Sequence, residues 1–215
     1  DMTLSGNARP MPGLRMGFVD FQDIPFTNGW VQIEGEVGYY KSVQDSWLEN
    51  HFNYYNNFIT TDTWFNYKRC YFRTKPGERL SVTVGMQASC QFAGSREMYA
   101  AGKVFFSDKS KATLKTFWKA FLPSSGSGGS SNGDKAYYEG NHLGSWDLAV
   151  RYRLDGGRQL RAYYQSPFED GSGIGKLNGW DGLYGLEYRT EGRVLVTGAV
   201  VEYLDLMNQS GPMHW

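Results

Sequence analysis

The chain has 215 residues with equal numbers of acidic and basic side chains, so its formal net charge is zero and it has no general attraction for nucleic acid. Aromatics make up 16% of it, with 15 Tyr and 7 Trp beside 27 Gly, which disfavours a helical cytosolic enzyme and favours short strands, those of outer-membrane barrels in particular. No apolar run approaches the ~18 residues of a membrane-spanning helix, a limit that excludes a helical membrane protein but not a barrel.

The opening on Asp1 and the loop-like ending Gly211 to Trp215 read as a mature or truncated piece of something longer. Arg9 to Val19 is the first expected strand, with Pro10 and Pro12 suited to a strand start. Trp30 to Tyr40 is the second. Val31, Ile33, Val37 and Tyr39 share one face, and Gln32, Glu34 and Glu36 share the other. Those carboxylates exclude a dry sandwich core on their side and face either water or a wet lumen. Lys41 to Trp64 has no sustained period and is expected to be a long loop.

Phe65 to Thr74 and Leu80 to Cys90 are strands three and four, joined by a turn at Lys75 to Arg79. That turn matches Phe72 with Val82 and Cys70 with Val84, and it leaves Tyr67, Arg69, Tyr71 and Arg73 on the polar face. Cys70 and Cys90 then lie apart and read as unpaired structural thiols. The stretch 92–141 is expected to be one long loop. Within it Leu114, Phe117, Trp118 and Phe121 recur at helical spacing, either as a short cap on the domain or as a helix lying on a membrane surface.

Ser145 to Leu154 alternates again, Asp155-Gly156-Gly157 supplies a three-residue hairpin loop, and alternation resumes at Arg158. Centring the hairpin on Gly156 pairs Tyr152 with Leu160 and Val150 with Ala162. It also sets Arg151 opposite Arg161 on the polar face, a repulsion that some other group must answer. Asp147 and Gln165 can answer in part, and a bound anion or water can do the rest. Gly182 to Arg189 and Val194 to Leu204 complete eight strands, with a two-residue turn at Glu191-Gly192. Long connections follow strands two, four and six, the alternation that a barrel with one plain rim and one functional rim produces. The chain therefore reads as a single domain over 1–215, all-β, an antiparallel up-and-down meander forming part of a transmembrane outer-membrane β-barrel with one short helix in a long loop.

No catalytic signature emerges. His51, His142 and His214 lie apart without metal-ligand spacing, so neither a metal nor another cofactor is expected. Glu169 and Asp170 stand together in a Gly-rich loop, where they order the loop, touch sugar, or serve a glycoside hydrolase. The last of these is the least favoured, and no hydrolase activity is expected of them.

The segments Ser5-Gly6-Asn7-Ala8-Arg9-Pro10, Asn141-His142-Leu143-Gly144-Ser145, Tyr163-Tyr164-Gln165 with Phe168 to Gly173, and Asn208-Gln209-Ser210-Gly211-Pro212 resemble the capsule-assembly Wzi-like family, its Bacteroidetes branch most of all. The resemblance implies a large outer-membrane barrel of roughly eighteen strands with a plugged lumen, acting at a Gram-negative cell surface as a lectin and not as an export pore. Eight strands fall short of such a barrel and would leave two open edges. The implied partners are capsular or extracellular polysaccharide and outer-membrane lipid. Ligand contact is expected at Arg69, Arg73, Arg151, Arg161, Tyr163, Glu169, Asp170 and Trp180. The competing reading is a soluble or surface β-sheet carbohydrate-binding module.

Overall fold

A computed structural model of the chain describes residues 11–43, 46, 50–51, 57–122, 139–168, 174–176, 179–192 and 195–208. Eight strands form one antiparallel sheet: β1 (Gly13–Asp23), β2 (Val31–Lys41), β4 (Trp64–Thr74), β5 (Leu80–Phe92), β8 (Glu139–Arg153), β9 (Arg158–Phe168), β10 (Gly182–Thr190) and β11 (Gly198–Asp205). Each pairs with the next of these along the chain, which is an up-and-down meander. A second sheet holds β3 (Asn57–Thr61), β6 (Gly94–Ala100) and β7 (Lys103–Ser110), and one helix, α1 (Leu114–Phe121), follows it.

The expected long loops are thus corrected. The stretch 41–64 contains β3, and 92–141 contains β6 and β7 as well as the helix. Strand β5 also runs on to Phe92 and β8 begins at Glu139, where His142 is part of the ladder and not of a loop. The expected first strand is shifted, running from Gly13 to Asp23.

The hairpin register holds, with Tyr152 opposite Leu160 and Arg151 opposite Arg161. Two other registers differ. Phe72 faces Val84 instead of Val82, and Tyr188 faces Ala199 instead of Leu195, the partner that a two-residue turn at Glu191-Gly192 implies. The shifts are two and four residues. Because side chains alternate with period two, even shifts leave every face assignment intact. The first accompanies a β5 that starts opposite β8, with Leu80 level with Tyr152, two residues beyond the end of β4. Such stagger accompanies tilted strands.

One face carries Val31, Phe72, Val84, Leu148, Val150, Leu160 and Leu186, and most of these are open to the surroundings; Val84 is 51% and Leu186 55% exposed. The opposite face carries Gln32, Glu36, Gln87, Ser145 and Glu187, all buried. The sheet is inside-out relative to a water-soluble fold, in which apolar residues fill the core. One cleft on the polar side is lined by residues of β1, β2, β4, β5, β8, β9 and β11, from Phe21 to Glu202, so the sheet curves toward that face.

The two ends of the sheet differ. At the short-turn end, the Asp155 carboxylate accepts from the Arg79 guanidinium at 2.8 Å, and Glu191 N–H donates to Gly157 O at 3.1 Å, knitting three turns together. At the other end the apolar face is covered. There α1 lays Phe117 and Ala120 over Tyr39, Trp64, Cys90 and Phe92. The Phe117 ring meets those of Tyr39, Trp64 and Phe92 edge-on at 5.0–5.1 Å. The Ala120 carbonyl accepts from Lys68 Nζ at 2.6 Å and lies 3.1 Å from His142 Nε2 and 3.5 Å from Cys90 Sγ. A cation at the C-terminal end of a helix also meets the negative end of its dipole. Cys70 and Cys90 are both free thiols.

Candidate functional site: an arginine-rich cleft

Residues of seven strands converge on a cleft of about 400 Å³, six of the strands through their polar rows and β1 through Phe21. Two tyrosines lie along its floor because the neighbouring strands carry glycine there. A Cβ on Gly85 would stand 2.6 Å from the Tyr71 ring, and one on Gly185 would stand 2.0 Å from that of Tyr163. The missing side chains let both phenols reach across a strand. Tyr71 Oη donates to Asp147 Oδ2 at 2.5 Å, and Tyr163 Oη donates to Glu202. Asp147 also accepts from Ser145 Oγ at 2.9 Å and from Gln165 Nε2 at 3.1 Å. Its charge is therefore held by neutral donors, and it does not answer the arginines, contrary to the expectation for that residue.

All four expected arginines point into the cleft, which also takes in Glu34, Gln87 and Thr83. Three of them are engaged. Arg69 pairs with Glu34 at 2.8 Å and Glu36 at 3.1 Å, and Arg15 reaches Glu36 from β1 at 3.3 Å. Arg73 donates from Nε and Nη2 to Gln32 Oε1 at 2.8 and 2.6 Å, and its guanidinium lies 3.9 Å from the centre of the Phe21 ring. Arg161 donates to Glu187 at 3.3 Å and sits 4.7 Å from the Tyr163 ring centre, while Arg189 shares the same carboxylate. The repulsion between Arg151 and Arg161 is thus answered on one side only, by Glu187 of the next strand.

Arg151 is different. Among the described residues no carboxylate lies within ion-pair distance of it; burial and the like charges of Arg161, Arg73 and Arg153 disfavour its cation, and the more distant Glu187 carboxylate opposes them in part. Among the described residues Arg151 is therefore a half-buried planar donor without an ion-pair partner, with more cations than carboxylates near it. Guanidinium in that state matches a carboxylate in a two-point contact.

The other expected contacts divide. Tyr163 lines the cleft. Trp180 does not; it is 78% exposed and leans on Tyr164 at 6.3 Å, part of an aromatic row with Tyr184 and Tyr203 on the opposite face. Its nearness in sequence to the Gly-rich loop misplaced it, since Tyr164 has the other parity from Tyr163. Glu169 and Asp170 lie outside the described residues. Glu34, Glu187 and Glu202 were legible as members of the polar rows, but only cross-strand registers could assign them to arginines and tyrosine.

Compared with protein-family models, with curated proteins and with solved structures, the chain matches none.

Proposed function

We propose that this chain is part of the wall of an outer-membrane β-barrel whose inner face holds acidic capsular or extracellular polysaccharide at the cell surface. The observation that carries the reading is the inverted polarity of the sheet. Salt bridges and buried carboxylates occupy the enclosed face, while valine, leucine and phenylalanine occupy the open one. In water that arrangement exposes the wrong surface; beside hydrocarbon it exposes the right one. Tyrosines and tryptophan gathered at one level, Tyr164, Tyr184, Tyr203 and Trp180, fit an interfacial aromatic girdle, with Tyr164 and Tyr184 hydroxyls bonded to the carbonyls of Asp181 and Trp180. The cleft and Arg151, which has no ion-pair partner among the described residues, support the polysaccharide part of the reading, and the Wzi-like resemblance agrees with it.

Nitroxide labels placed by Val84→Cys and Thr83→Cys in a Cys70→Ala background test the wall in reconstituted membranes. Oxygen-accessible 84 and oxygen-poor 83 are expected; equal accessibility of both to a water-soluble quencher sinks the reading. For the ligand, Arg151→Gln is expected to weaken retention of a uronate-bearing polymer about tenfold, in a salt-dependent manner, and to leave a neutral polymer unaffected. Equal retention of the acidic polymer by variant and parent would leave the arginines a structural role only.

A further inference from the structure

Among the described residues no other element packs on the outward flank of α1. Lys111 to Leu122 contains no acidic residue, and its lysines recur at 111, 115 and 119. The helix starts at Thr113, whose hydroxyl accepts from Thr116 N–H while Thr113 N–H donates to Thr116 Oγ1 at 2.8 Å. Its orientation is fixed by Phe117 and Ala120 on the sheet and by the bond from Tyr39 Oη to Phe117 O at 3.0 Å. Helical spacing then places Leu114 and Trp118 together on a flank beside the sheet-facing one, and Lys115 and Lys119 one arc further round. Leu114 is 90% and Trp118 63% exposed, with Trp118 stacked on Phe121 at 5.5 Å. Around the helix the order is therefore sheet-facing, apolar, cationic.

Resting on the wall reading above, we propose that α1 is an interfacial helix that binds phosphate-bearing lipid headgroups of the leaflet at the long-loop end. Two observations select that occupant. The apolar flank continues the open apolar face of β4, β5 and β8, which runs through Phe72, Val84 and Leu148 up to the level where α1 covers Lys68 and Cys90. Hydrocarbon on that face ends at the helix. The lysines, uncompensated on α1 itself, then stand where headgroup phosphates lie, and indole suits the boundary between them. A free anion would satisfy the lysines and leave Leu114 and Trp118 in water; a lipid satisfies both strips.

The test uses the whole protein in nanodiscs of phosphatidylcholine containing a minority of phosphatidylglycerol. Mass spectrometry after mild detergent release counts the phosphatidylglycerol retained, and nitroxides at 84, 114 and 115 report depth. Enrichment of phosphatidylglycerol is expected, falling about fivefold for each of Lys115→Gln and Lys119→Gln. Label 114 should be shielded from a water-soluble quencher and 115 open to it. Unchanged enrichment in the double variant overturns the proposal, as does a quenched label 114 beside a shielded label 84. A quenched label 84 overturns the wall reading itself, and this proposal with it. Both lysines are exposed, so the variants leave the packing of Phe117 and Ala120 untouched.

Discussion

Arginine in place of Val84 separates a lipid-facing sheet from a water-facing one by its cost alone. Val84 lies on the open face between Phe72 of β4 and Leu148 of β8. Along β5 the outward apolar series runs from Leu80 to Met86, and the covered zone begins at Ala88. Val84 is thus four residues, or ~13 Å of strand, from either limit, and a tilt of about 40° reduces that to ~10 Å of depth. On the proposed reading a side chain so placed sits near the middle of a hydrocarbon layer, where arginine on a barrel's lipid face costs ~2–4 kcal/mol. Were the same face wet, a half-exposed Val→Arg change would stay within about 0.5 kcal/mol. Reversible urea unfolding into phospholipid vesicles, followed by tryptophan fluorescence, measures the difference. Glu78→Arg in the exposed short turn is the control and is expected to cost nothing measurable. A Val84→Arg loss indistinguishable from that control refutes the lipid-facing assignment.

Gly185→Ala should displace the Tyr163 ring, breaking its contact with Arg161 and its bond to Glu202, at ~2–3 kcal/mol. Urea melts check it, and a full-sized cost persisting in the Tyr163→Ala background would contradict the account. Lys68→Met keeps the packing but removes the ammonium that donates to Ala120 O and Asn66 Oδ1. Faster hydrogen exchange in α1 is expected, with ~1.5–3 kcal/mol lost; unaltered exchange there means that the aromatic contacts of Phe117 alone hold the helix.

Alternation made the eight-stranded meander readable. Register errors of two and four residues left Arg69, Arg73, Arg151 and Arg161 on the correct side, because parity is insensitive to even shifts. The second sheet was hidden for a local reason. The β6–β7 hairpin turns through Ala101 and Gly102, both at positive φ, 49° and 75°. Asn or Asp normally announces such a turn at the first position, and alanine gives no signal. Strand β3 has only five residues, too few for its period to stand out. The ion pairs were illegible for another reason: Glu187 answers Arg161 only once β10 is in register with β9, and nothing local to either strand fixes that pairing.

Strands β1 and β11 each have a neighbour on one side only among the described residues. On the free side every second residue presents both an N–H and a carbonyl. The 11 residues of β1 therefore present about ten such groups, and the eight of β11 about eight. In water these groups are solvated. In hydrocarbon each costs several kcal/mol, a total far beyond the stability of any domain of this size. On the proposed reading, then, the sheet cannot enter the bilayer first and find its lateral neighbours later. Pairing of both borders and insertion must be one event, so the assembly pathway is dictated by two strands that contribute little to the cleft itself.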